Sequence, residues 1–374
     1  MLCVLATFTF RIPRRNASWA SGVLRSMKPA GAILGAMLLA ACTQQAPASS
    51  TPAHPSPTSA VTSAITEFPT LTANSRPGDI TRGPDGNLWF VELAANKVAK
   101  VTTSGSIFEF PLPPGTQPGS ITAGPDGNIW VAGGDNRVTK VTTSGHATKY
   151  TPPSYWAGAI TAGPDGNLWI TEPCSAASDV GAKVAKLTPS GAFTEYVVPR
   201  AGDMPADPSG IAAGPDGNIW FTEEGARKVV KVTPSGSFTE YPIPSGYEGP
   251  ESITAGPDGN LWFLEYGGLK VAKMTTSGTF TEYRVSPVPS TTDYAPGSIT
   301  AGSDGNVWFT QVFPNEVTRL TTSGDFTEFA IPSSGLPLSP SACPAGITSG
   351  PDGNIWFTES CANKVAKLVP HKPA

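Results

Sequence analysis

Apolar and polar residues alternate with a period of two along short runs of this chain, and glycine and proline punctuate the runs. The pattern repeats. The phrase Gly-Pro-Asp-Gly-Asn-Leu-Trp-Phe, first met at Gly83 to Phe90, returns with small changes around Trp130, Trp169, Trp220, Trp262, Trp308 and Trp356. Neighbouring tryptophans stand between 39 residues (Trp130 to Trp169) and 51 residues (Trp169 to Trp220) apart. A period of that size, filled with strand and turn signals and no helical pattern, marks a β-propeller blade. Seven copies predict an all-β, seven-bladed propeller of four-stranded antiparallel blades.

The fifth copy shows the four strands. Strand A is read at Ser252 to Ala255, B at Asn260 to Glu265, C at Lys270 to Met274 and D at Phe280 to Tyr283. Pro257-Asp258-Gly259 joins A to B: proline pre-sets φ and glycine accepts the positive φ that closes the turn. Thr275 to Gly278 does the same between C and D. The repeated Asp-Gly lacks the D-x-D-x-D-G spacing of a calcium loop and reads as turn chemistry. A large aromatic on central strand B is expected to pack on the neighbouring blade. The lysines and glutamates of strands C and D are expected to blunt the outer edge as a solvated rim. The last copy stops after strand C at Lys364 to Leu368, and its missing outer strand stands at Ile65 to Phe68. That segment is predicted to pair with strand C of the last blade and close the ring.

The A–B and C–D turns keep one length in every copy, whereas the D–A and B–C connections vary. Variable loops on a fixed scaffold are where recognition concentrates. The rim they form holds Arg76, Asp79, Glu248, Glu251 and the aromatic candidates Tyr155, Trp156, Tyr247, Tyr266 and Tyr294. Strand B ends there with Glu92, Glu172, Glu223, Glu265 or Glu359 in five copies. Such carboxylates either hold a hard cation such as Mg²⁺, with Glu223, Glu265 and Glu359 as candidate ligands, or pair with nearby lysines. Cys343 and Cys361 fall on the same rim, in position for a disulfide.

Composition adds the surroundings. Of 374 residues only 14% are charged, and the net charge of −4 excludes a basic nucleic-acid surface. Met27-Lys28 and the apolar run to Ala41 read as an export signal that is complete without residues 1–26, and the run is too short to span a bilayer. Leu39-Ala40-Ala41-Cys42 resembles a bacterial lipobox, which makes Cys42 the expected lipidation site and new N-terminus. The expected layout is a leader at 1–42, a Pro/Ser/Thr-rich tether at 43–64, the propeller at 65–369 and a tail at 370–374. The expected product is exported and anchored by lipid at the cell envelope, outer membrane or cell surface. It is expected to be a monomer that takes a small-molecule, peptide or glycan ligand at the variable rim.

The repeat Ile-Thr-Ala-Gly-Pro-Asp-Gly-Asn-Leu-Trp-Phe-Thr-Glu, continued by Asn-Lys-Val-Ala-Lys-Val-Thr-Thr-Ser-Gly and Phe-Thr-Glu-Tyr, resembles the virginiamycin B lyase family over residues 65 to 369. The resemblance implies a seven-bladed propeller that linearises streptogramin B antibiotics by Mg²⁺-dependent elimination. It also implies glutamates that bind the metal and a histidine base in a Pro-His-Gly-Ile type motif entering strand A. Glu359 matches a family metal ligand. The seven matching stretches carry Gly78, Gly119, Gly158, Ser209, Glu251, Gly297 and Ala345 where the histidine would stand. The three histidines are His54 in the tether, His146 in a C–D turn and His371 in the tail. Three readings follow: a binding propeller without the lyase base, an elimination enzyme with Glu251 as base, and a lactone hydrolase similar to the gluconolactonase propellers.

Overall fold

The Pro-Asp-Gly turn does more than reverse the chain. In every blade the turn aspartate accepts a hydrogen bond from the indole N–H of the blade's own tryptophan, as in Trp89 Nε1 to Asp85 Oδ1 at 3.0 Å and Trp262 Nε1 to Asp258 Oδ1 at 3.0 Å. The buried indole therefore has a partner, as a buried polar group must. The turn glycine takes the left-handed conformation, with Gly86 at φ 76°. The repeat thus fixes a hairpin and a core aromatic together.

A computed structural model describes residues 65–153, 157–173, 181–200, 206–244, 249–265, 270–285, 296–312, 314–332 and 342–370. Among them the chain forms 28 strands in seven four-stranded antiparallel sheets. The first five are β1 (Ile65–Pro69), β2 (Pro77–Arg82), β3 (Leu88–Glu92), β4 (Lys97–Val101) and β5 (Ile107–Pro111). Strands β2 to β5 form blade 1 in sequence order A-B-C-D. Strand A of each blade touches strand A of the next, and that of blade 7 (Pro344–Ser349) returns to β2. Strand β1 pairs with the last strand, Lys364–Leu368, from Ile65 opposite Leu368 to Pro69 opposite Lys364. The ring closes as the missing outer strand predicts.

All seven tryptophans are completely buried and pack on the following blade; Trp169, for example, lies among Ile219 and Phe221. An aromatic of strand D packs on each, stacked in six blades and tilted in Tyr150 on Trp130; Phe68 stacks on Trp356 with ring centroids 5.7 Å apart. The edge lysines depart from the expected solvated rim. The second lysine of strand C lies over its tryptophan ring, with Lys100 Nζ 5.3 Å from the Trp89 centroid. Several such lysines also donate to a turn carbonyl of the next blade, Lys186 to Pro234 at 2.9 Å and Lys367 to Thr103 at 3.1 Å. The alkyl stem covers apolar surface while the ammonium reaches the neighbour. These lysines tie blades together.

Candidate functional site

In six of the seven blades strand A begins with the stretch that matches the family's base motif, and the local geometry follows from its proline. Proline has no N–H to give to the ladder. After Pro250, which pairs with Glu265, the register slips, and pairing resumes at Ile253 opposite Phe263. Glu251 and Ser252 therefore stand opposite the single residue Leu264. The same slip occurs in blades 1, 2, 4, 6 and 7. A bulge of this kind re-aims the residue it carries.

Two devices hold the bulges at the seams between blades. In the first, a buried threonine of strand B accepts from its own bulge and donates to the next blade. Thr222 Oγ1 accepts from Gly210 N at 2.9 Å and donates to the Glu251 carbonyl at 2.6 Å. Thr171, Thr310 and Thr358 do the same toward the carbonyls of Ser209, Ala345 and Gly78. In the second, strand B carries Val91, Ala132 or Leu264 instead of threonine, and a side chain on the bulge supplies the tie. Asp79 accepts from Ile121 N at 3.0 Å, Ser120 from Ile160 N at 3.4 Å, and Ser252 from Ile299 N at 3.3 Å. Each of the seven seams uses one device or the other. Glycine is required where the blades come closest: a methyl on Gly210 would stand 2.1 Å from the Glu251 carbonyl oxygen.

Glu251 is half-buried at the seam of blades 4 and 5. Burial, and then the Glu224 carboxylate beside it, push its carboxyl up to about 7. A group poised there can carry or release a proton near neutrality. Ala345 occupies the corresponding place in blade 7, next to Cys343, whose disulfide with Cys361 ties the entry of strand A to the following B–C turn.

The strand-B glutamates are not a rim of open carboxylates. Glu92, Glu223 and Glu359 are completely buried and Glu265 and Glu172 nearly so. The alternation that sets Trp220 toward blade 5 turns Phe221 and Glu223 toward blade 3. Glu223 meets Lys228 at 3.1 Å, and Lys228 also meets Glu240 at 2.6 Å. Burial still pushes Glu223 up to about 7, against the opposing Lys228 charge. Among the described residues no three His, Cys, Asp or Glu side chains converge as a metal-binding group. Tyr155, Trp156, Tyr247, Tyr266, Tyr294, Cys42 and Cys174 lie outside the described residues. His146 is exposed in the turn of blade 2, where its N–H donates to Thr142 Oγ1 at 3.0 Å.

Seven four-stranded antiparallel blades, six of them with a bulged strand entry, make this chain a seven-bladed β-propeller. The virginiamycin B lyase family model matches residues 57–205 and 158–372, and this chain belongs to that family. It is similar to a solved streptogramin B lyase, with 33% identity and a TM-score of 0.70 over 82% of this chain and 97% of the other. Virginiamycin B lyase from Staphylococcus aureus is 32% identical, with a TM-score of 0.71 over 82% of this chain and 99% of that one. A catalytically inactive histidine-to-alanine form of the S. aureus enzyme, solved with quinupristin, aligns at 32% identity and a TM-score of 0.72. The comparison with curated proteins gave no match.

Proposed function

We propose that this protein is an exported, lipid-anchored propeller that binds a small-molecule, peptide or glycan ligand at the rim of the D–A and B–C connections, without the lyase base of its relatives. One observation carries the reading. The seven entries to strand A bear Gly78, Gly119, Gly158, Ser209, Glu251, Gly297 and Ala345, and none offers an imidazole. A base must reach its proton within hydrogen-bond distance, and His146 sits in a C–D turn, with the turns that lie opposite the variable rim. The family scaffold is kept, with its seams tied all round, while no histidine stands at the strand-A entries. Quinupristin, present with the inactive S. aureus form, is the natural first ligand to offer.

One observation favours a second reading. Glu251 occupies the base position of blade 5 with its carboxyl raised to about 7, which suits a proton acceptor at neutral pH. The test separates the two. The protein is incubated with quinupristin and Mg²⁺, and the cyclic compound is followed by chromatography with mass detection. Binding by calorimetry with the compound recovered intact supports the binding reading. A product of unchanged mass that disappears in Glu251→Gln establishes elimination, and a gain of one water establishes hydrolysis. Neither binding nor turnover would refute a streptogramin-like ligand.

A further inference from the structure

The seam where the ring closes shares one lysine differently from blade 4. In blade 4, Lys228 lies between two carboxylates, hydrogen-bonded to Glu240 at 2.6 Å and ion-paired with Glu223 at 3.1 Å. Lys97 is its counterpart in blade 1, between Glu92 and Glu109. Its ammonium donates instead to Glu109 Oε2 and to the Thr72 hydroxyl, both at 2.6 Å. Thr72 belongs to the segment joining β1 to β2. It also donates its own N–H and hydroxyl to the two oxygens of Glu109, at 2.7 and 2.6 Å. Glu92 is left completely buried, with neither carboxylate oxygen hydrogen-bonded among the described residues.

The joining segment is clamped by the last blade. Asn363 accepts from Ser75 N at 2.7 Å and donates to the Thr72 carbonyl at 2.9 Å, and its own carbonyl accepts from Thr70 N at 3.1 Å. The Ser75 hydroxyl beside Glu92 is committed to Asn363 Oδ1 at 3.0 Å and Thr70 Oγ1 at 3.1 Å. With β1 docked, Thr72 holds Lys97 on Glu109, and Glu92 lies buried beside that lysine without an ion pair to it. An ionised carboxylate without a partner is costly to bury. We propose that docking of the first strand into the last blade is coupled to uptake of a proton by Glu92.

The charged groups facing Glu92 are Lys97 on β4 and Glu109 on β5. Ser75 and Asn363, on the joining segment and the last blade, are neutral, and Lys364 of the last blade is held by Glu67 of β1 at 2.5 Å. Burial, and the Glu109 charge, outweigh the help of Ser75 and Lys97 and raise Glu92 from 4.5 to about 7. Burial also works against Glu109, but the bonds from Lys97 and Thr72 hold it below its ordinary value, so Glu109 stays charged. A folded-state carboxyl raised in this way favours the docked form at low pH. The advantage is lost as pH rises from 4.5 through about 7 and is constant above that. Between pH 5.5 and 7.5 these two values give a fall in the docking constant of up to about 20-fold.

Native-state hydrogen exchange on the intact protein tests this. Protection of the β1 amides, corrected for intrinsic rates, is compared at pH 5.5 and 7.5 with protection of the blade 3 strand Leu168–Glu172. β1 protection is expected to fall several-fold relative to that reference, and Glu92→Gln to abolish the fall. Should Glu92→Gln not fold, Thr72→Val serves: it returns Lys97 to Glu92 and is expected to flatten the pH dependence. An unchanged slope in whichever variant folds overturns the proposal. So does a parallel fall in the reference strand.

Discussion

Thr222→Val isolates the tie between blades 4 and 5. The change replaces one hydroxyl by a methyl at a site with no solvent exposure, and valine already fills the same position at Val91. What is lost is the acceptor for Gly210 N and the donor to the Glu251 carbonyl. Leaving a buried donor or acceptor unmatched costs about 1–3 kcal/mol each. The two groups flank a bulge that is not wholly sealed, so a net loss of about 2–4 kcal/mol is expected. With roughly 2 cal/mol/K of unfolding entropy per residue over about 300 residues, the melting temperature falls by about 3–6 °C. Val91 escapes this cost because Asp79 ties that seam from the other side. The remedy cannot be copied at Gly210, where a side chain would collide with the Glu251 carbonyl. Thr222→Ser keeps the hydroxyl and is expected to lose less than about 1 kcal/mol. Scanning calorimetry of wild type and both variants decides the matter. A valine variant that melts within about 1 °C of wild type would refute the reasoning.

Two further outcomes follow. Deleting residues 65–69 removes the whole ladder opposite Lys364 to Leu368 and the Phe68 ring from Trp356. The lost burial of the half-buried Ile65 and Phe68 amounts to about 2–3 kcal/mol, and the strand pairing goes with it, so the melting temperature should drop by about 5 °C; no change would contradict ring closure by this strand. In blade 6 the lysine of strand C is replaced by Glu316, which burial and then Glu328 raise to about 7. That raised carboxyl weakens the fold as pH climbs through 7. Glu316→Lys should therefore stabilise by about 1 kcal/mol at pH 8 and by less at pH 5.5, and an equal gain at both would speak against it.

The architecture was open to reading because each repeat states its own turns, and because the last copy lacks the strand that Ile65 to Phe68 supplies. The strand-B glutamates were harder. In a blade covered on both faces, alternation no longer separates a wet face from a dry one, so Glu223 at a strand end looks like a rim residue. The structure places it deep in a seam beside Lys228. The seam ties were also hidden. Thr222 reads as an ordinary strand residue until the carbonyl of Glu251, on another blade, is set against it. The exchange of threonine for Val91, Ala132 and Leu264 was visible in the repeats, and with Asp79, Ser120 and Ser252 it was the available signal. Glu251 was found from its motif position alone, while its raised carboxyl depends on burial and on Glu224, which no motif records.

Because Ile65 lies directly opposite Leu368, the two ends of the propeller finish side by side on an outer edge of the ring. The covalent path around the circle is thus interchangeable with its hydrogen-bonded one. Linking residue 369 to residue 65 and cutting instead at Ser277-Gly278, or at another C–D turn, would yield a circular permutant of the same ring. In such a molecule the open junction between the two outer strands of blade 7 would become an ordinary loop, and a different blade would inherit the task of holding the circle shut.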